Sequence, residues 1–238
     1  MSEPHLRVRR DGAVAWLTLD RPERRNALTA AMLDALATAL TAAVADDGVR
    51  VVVLHGAGSS FSSGADLGET GALAADERDA YLHRTLAALR TLEELPIPTV
   101  AAVHGYALAG GCELALVCDL VVASADTCFG LPETSIGMLP VVALAAGRRR
   151  ISSGTLARLA LANERVDAAE AHRVGLVDVL VPAGEHLEEA GRLAARIAAA
   201  DPVATAEATR LLRDPEAGYD AALAAAARVM GAARPARS

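Results

Sequence analysis

Residues 48–56, Gly48-Val49-Arg50-Val51-Val52-Val53-Leu54-His55-Gly56, decide the fold. The short β-branched run from Val49 to Leu54, bounded by glycines, is the pattern of a buried strand. Immediately upstream, Thr29 caps a predicted helix whose apolar positions Met32, Leu33, Leu36, Leu40 and Val44 recur at helical spacing, and Asp46-Asp47-Gly48 ends it. Further upstream, residues 13–19, Ala-Val-Ala-Trp-Leu-Thr-Leu, read as another strand, closed by the turn at Arg21-Pro22. Strand, helix, strand in that order implies a crossover unit, because parallel neighbours need a long connection.

The alternation continues downstream. Residues 56–71 read as a glycine- and serine-rich loop, 76–94 as a helix, Thr99 to Val103 as a strand, 110–117 as a helix and Asp119 to Ala123 as a strand. From about residue 142 the pattern is mostly helical, with one β-like run at Leu176 to Val181 and a turn at Pro182-Ala183-Gly184. The division predicted is an α/β core over 1–185 and a helical region over 186–238, with residues 233–238 as a frayed tail.

Two glutamates stand out against this frame. Glu113 lies in Gly110-Gly111-Cys112-Glu113-Leu114-Ala115, where a Gly-Gly turn opens an apolar helix whose first N–H groups lack intrahelical partners. Glu133 lies in Phe129-Gly130-Leu131-Pro132-Glu133. Paired carboxylates suit proton transfer, and free amides suit a developing negative charge. Taken singly, each has an ordinary structural explanation: Glu113 as an acid in a first helical turn, worth a few tenths to ~1 kcal/mol, and Glu133 as an exposed loop carboxylate. A second small-residue turn, Phe61-Ser62-Ser63-Gly64-Ala65-Asp66-Leu67, offers a further amide to the same oxygen.

These segments, with Leu19-Asp20-Arg21-Pro22-Glu23-Arg24-Arg25-Asn26-Ala27-Leu28, Gly105 to Gly111, Asp167 to Ala171 and Gly175-Leu176-Val177-Asp178, resemble the crotonase, or enoyl-CoA hydratase/isomerase, superfamily in order and spacing. The resemblance implies an α/β, crotonase-like ββα-superhelix core with a helical C-terminal appendage. It implies Glu113 and Glu133 as catalytic residues of a hydratase, and the N–H groups of Ala65 and Gly110 as an oxyanion hole. It also implies that Arg24, Arg25, Ala27, Gly64, Asp66, Leu67 and Gly68 help hold the coenzyme A moiety of the substrate, with no separate cofactor and no metal. Homotrimers or homohexamers are implied as well. The alternatives are a double-bond isomerase and a non-catalytic acyl-CoA-binding protein. One departure is local: Val141-Val142-Ala143-Leu144-Ala145-Ala146 stands where the family carries a glycine-rich stretch, which predicts added side-chain volume beside the acyl group.

Composition narrows the remaining classes. All 23 basic residues are arginine, which excludes lysine Schiff bases and a Walker P-loop. The net charge is −7 and only Arg148-Arg149-Arg150 clusters, so a nucleic-acid partner is not expected. His55-Gly56-Ala57-Gly58 has the look of an esterase oxyanion motif, but the chain has no Gly-x-Ser-x-Gly nucleophile turn. As a dinucleotide fingerprint the same stretch fails at Phe61. Three cysteines without CxxC spacing point to neither disulfides nor zinc, and Cys112 reads as a small packed residue. No stretch reaches the ~18 apolar residues of a membrane span, and no apolar leader follows Met1, so a cytoplasmic protein is expected.

Overall fold

The computed structural model describes residues 5–232. β1 (Leu6–Asp11) and β2 (Val14–Leu19) form an antiparallel hairpin turned at Gly12, whose φ of +57° is open to glycine without strain. A 3₁₀ turn over Pro22–Arg24 leads into α1 (Ala30–Ala45), which carries the chain across so that β3 (Val51–Gly56) lies parallel to β2. α2 (Leu67–Ala72) and α3 (Ala75–Glu93) form the next crossover, to β4 (Thr99–Val103). β5 (Tyr106–Leu108) and α4 (Gly110–Val117) precede β6 (Leu120–Ser124), which pairs with β4, and β7 (Cys128–Gly130) follows. Beyond a 3₁₀ turn at Pro132–Ile136 come α5 (Val141–Ala146), α6 (Ser153–Ala160), β8 (Arg165–Asp167), α7 (Ala168–Arg173) and β9 (Val179–Val181). α8 (His186–Ala198), α9 (Pro202–Arg213) and α10 (Tyr219–Gly231) complete the described chain.

Among the described residues the strands make a six-stranded sheet, β1-β2-β3-β4-β6-β9, and a three-stranded one, β5-β7-β8. This is the α/β, crotonase-like architecture that the resemblance implies. The central strands alternate between two cores, as a period of two requires. Val52 and Leu54 of β3, with Leu17, Ala101 and Val121, face Leu33, Leu36 and Leu40 of α1 and Leu89 and Leu92 of α3. Val51 and Val53, with Val100 and Val122, face Ala190 and Ala194 of α8. Burial on both sides is why β3 reads as a continuous apolar run, and each fully buried leucine contributes about 1.5–3 kcal/mol.

Thr29 caps α1 as expected, its hydroxyl accepting from Met32 N at 3.2 Å. Val44 does not join the core; it is exposed, and Ala43, three residues after Leu40, packs inward instead. The expected loop over 56–71 ends early in α2, because the Asp66 carboxylate accepts from Gly68 N and Glu69 N and nucleates a turn. β1 and the small sheet are additions to the expected elements. Three-residue strands carry too little periodicity to read, and β1 is an edge whose arginines face water. The 186–238 region is helical over its described residues, yet α8 covers one face of the main sheet and so belongs to the same core. Residues 233–238 lie outside the described residues.

Candidate active site

Two small-residue loops are pressed together to make the site. Ser62 N donates to Tyr106 O and Leu108 N to Ser62 O, both at 3.0 Å, which aligns residues 61–65 with 105–110. A Cβ on Gly111 would lie 2.4 Å from Ser62 O, and one on Gly64 would lie 2.5 Å from Ala109 Cβ and 3.2 Å from Gly110 N. Only glycine permits that approach. On its other side the turn is stitched to Leu28: Leu28 N donates to Gly64 O at 2.8 Å, and Asp66 N to Leu28 O at 3.0 Å. In such a parallel bridge the intervening residue, Ala65, turns its own N–H away from Leu28. Gly110 is the first residue of α4, where an N–H has no intrahelical acceptor. It follows Ala109 at φ +50°, a conformation that L-residues rarely adopt and that sharply redirects the chain.

The carboxylates sit below these loops. Glu113 is buried within α4, and its Oε1 accepts from Val142 N at 2.8 Å and Ala143 N at 2.9 Å, the opening amides of α5. Burial raises its pKa above the ordinary carboxylate value, opposed by those two amides. Glu133, on the 3₁₀ turn, is 6% exposed rather than a solvated loop acid. Its Oε2 has no hydrogen-bond partner among the described residues, and burial, with a smaller contribution from Glu113, pushes its pKa up to about 7. Both carboxylates, Ala65 and Gly110 line one cavity of about 300 Å³, whose other walls include Leu82, Leu86, Ile136 and Val142. Such a space takes an apolar chain and offers it few polar groups apart from the two acids.

The remaining candidates divide. Gly64 holds the loop contact described above, Ala27 is buried beside Leu28, and Leu67 is exposed on the cavity wall, with Gly68 next to it in the first turn of α2. Arg24 and Arg25 are exposed, and the Arg25 guanidinium lies over the Tyr106 ring at 5.2 Å. The Asp66 carboxylate is occupied internally: besides capping α2 it is paired with Arg21, which holds it below the usual carboxylate range. Val141 and Val142 reach the cavity, whereas Leu144 does not line it. Cys112 is fully buried, and burial with the two nearby glutamates pushes its thiol up, so it is an inert packed residue.

Two further residues escaped the sequence reading of the site. Asn26, fully buried at φ +52°, donates to Ala57 O and Ser60 O and accepts from Arg21 N, while its carbonyl accepts from Ser62 Oγ. Its position before Ala27-Leu28 is visible in the sequence, but apart from Arg21 its partners lie more than thirty residues away and carry no local signal. Tyr81, on α3, lines the cavity and donates to Leu28 O at 2.8 Å. Among the described residues there is no group of three or more metal-ligating side chains.

The family model described as enoyl-CoA hydratase/isomerase matches residues 9–230. The 2,3-dehydroadipyl-CoA hydratase of Escherichia coli (strain K12) is 39% identical over 218 residues, spanning 90% of this chain and 82% of that protein. Among solved structures, an enoyl-CoA hydratase from Bacillus anthracis has a TM-score of 0.89 at 30% identity, covering 95% of this chain and 89% of the other. An enoyl-CoA hydratase from Mycobacterium smegmatis has a TM-score of 0.86 at 34% identity, covering 96% and 90%.

Proposed function

We propose, because the chain belongs to the enoyl-CoA hydratase/isomerase family, that it adds water across the double bond of a 2-enoyl-CoA thioester. The observation that carries this reading is a single apolar cavity lined by two buried carboxylates, Glu113 and Glu133, together with Ala65 and Gly110.

As the water oxygen bonds to the β-carbon, negative charge moves onto the thioester oxygen. The N–H groups of Ala65 and Gly110 receive that charge; losing one such donor typically costs ~2.7–4 kcal/mol of barrier. Glu113, with Oε1 fixed by the α5 amides, turns its other oxygen to the water and takes its proton. Glu133, half protonated near pH 7, gives a proton to the α-carbon. One proton is taken and one delivered, so the pair returns to its starting state by exchange between the two acids. Because the acids are coupled, the protons belong to the pair.

Arg24 and Arg25, exposed beside the loop that carries Ala27, suit the coenzyme A phosphates, while Gly64, Leu67 and Gly68 shape the path to the thioester. Asp66 serves this region through Arg21 rather than by touching the ligand. Assembly into homotrimers, paired into hexamers, is supported by Leu212, Tyr219, Leu223 and Met230, all strongly exposed on or beside α9 and α10. Sedimentation at micromolar concentration tests it; a monomer refutes it. No described helix is long and apolar enough to cross a membrane.

A double-bond isomerase is the second reading, favoured by the contrast between the pinned Glu113 and the unpartnered Glu133 oxygen, since isomerisation needs only one proton shuttle. Turnover of Glu113→Gln and Glu133→Gln separates the readings. Hydration predicts a fall of ~10²–10⁴-fold in both, by loss of enoyl absorbance, with butanoyl-CoA binding kept. Isomerase activity in Glu113→Gln at the wild-type level supports the second reading, and no turnover by the wild type supports a binding protein.

A further inference from the structure

We propose that Tyr81 is a positioning residue for the oxyanion hole, its phenol holding the Leu28 carbonyl and thereby the 64–66 turn from which the Ala65 N–H is aimed. The inference rests on the reading of Ala65 and Gly110 given above and adds to it a residue from a different helix. Tyr81 is 4% exposed, and its Oη donates to Leu28 O at 2.8 Å. That carbonyl is also the acceptor of Asp66 N at 3.0 Å, and the neighbouring Leu28 N donates to Gly64 O at 2.8 Å. Leu28 is therefore the rail on which both sides of Ala65 are hung, and Tyr81 is the side chain that fixes the rail from the α3 side. Few alternatives exist for this job. Leu28 has no polar side chain, Gly64 sits at φ +89° with no side chain to anchor it, and Ala65 can be steered only through its neighbours' backbone bonds.

The phenol remains a donor at any working pH. Burial, with Glu69 nearby, raises its pKa well above that of free tyrosine. The same side chain lines the cavity shared by Glu113 and Glu133, so α3 both walls the acyl space and ties down the turn above it. An oxyanion hole works only if its donors are fixed before charge develops, and a small misplacement is enough to lose most of the benefit. Removing the hydroxyl should thus act on kcat rather than on KM.

The test uses the infrared C=O stretch of bound butanoyl-CoA labelled with ¹³C at the carbonyl, alongside steady-state hydration of crotonyl-CoA. In the wild type the stretch should lie below its solution value. In Tyr81→Phe it should move back towards that value, with kcat reduced about 10-fold or more and KM within about twofold. Replacing Tyr81 by 4-aminophenylalanine, which restores a donor in place, should recover both the shift and the rate. Replacing it by 4-methylphenylalanine, which fills the volume without donating, should not. That pair also serves should the phenylalanine variant fail to fold by circular dichroism. A wild-type stretch with no shift overturns the assignment of Ala65 and Gly110, and Tyr81 with it. A shifted wild type with an equally shifted Tyr81→Phe, or a variant slowed with its carbonyl shift intact, overturns the Tyr81 proposal alone.

Discussion

The Glu113 carboxylate lies 2.8 Å from the amide of Val142, so an acid on α4 is held by the N-terminus of α5. The dipole and free amides of a helix other than its own orient this group, and they stabilise its charged form against the burial that opposes it. Reach is the critical quantity. Glu113→Asp retains the charge but withdraws the carboxylate by about one carbon–carbon bond, far enough to part it from Val142 N and Ala143 N. Its expected effect is a fall in kcat of at least 10-fold with butanoyl-CoA affinity unchanged. Wild-type turnover would show that these two amides do not set the position of the acid.

Glu133 should make the protein less stable as pH rises. Its folded pKa of about 7 lies above the unfolded value of 4.5, so between those limits the folded state holds more proton than the unfolded one and stability falls with increasing pH. Glu133→Gln removes the titration. The variant should therefore gain on the wild type above pH 7, by about 1–2 kcal/mol after allowing for solvent screening, and match it near pH 4. Parallel urea-stability curves at pH 4.5 and 8 would rule this out.

Ala109 carries strain that glycine would release. At φ +50° and ψ −128° an L-residue is disfavoured by about 1–3 kcal/mol, against ~0.5–1 kcal/mol for the extra freedom glycine loses on folding. Ala109→Gly is expected to raise Tm by a few degrees with kcat kept. A lower Tm would show that the Ala109 methyl, which packs towards Gly64, matters more than the backbone.

Cys112→Ser should leave turnover unchanged, because the thiol is buried and kept protonated by that burial and by the two nearby glutamates. Placing a hydroxyl in that apolar site should still lower stability by about 1–3 kcal/mol. Loss of activity in a folded, thermally stable variant would revive thiol chemistry.

The two valines on the cavity wall should set the acyl size, whereas Leu144 should not. The wild type is expected to show a graded fall in kcat/KM with chain length, since one methylene in an apolar pocket is worth about 1–3 kcal/mol. Val141→Gly should flatten that gradient and Leu144→Ala should leave it as it is. Equal rates on four- and sixteen-carbon enoyl thioesters would refute the assignment.

The sequence by itself determined the alternation of strands and helices from residue 13 to 123, because each central strand had to be apolar on both faces and each crossover helix on one. It also marked both glutamates and both turns, since a Gly-Gly pair opening a helix, or a glycine before Ala65, is a local backbone demand that sequence displays directly. The loop expected over 56–71 passes over α2, although Asp66 followed three residues later by Glu69 carries the signature of a capped first turn. Tertiary structure alone decided the rest. That Glu133 is buried, that Glu113 rests on α5, that Asp66 belongs to Arg21, and that Asn26 and Tyr81 brace the turn all depend on partners 29 to 53 residues apart or on the packing of separate elements. A hydrogen bond between distant segments leaves no periodicity in either of them. Only the folded chain, by bringing α3, α4, α5 and two glycine-cleared loops to one cavity, gives those residue types a common environment.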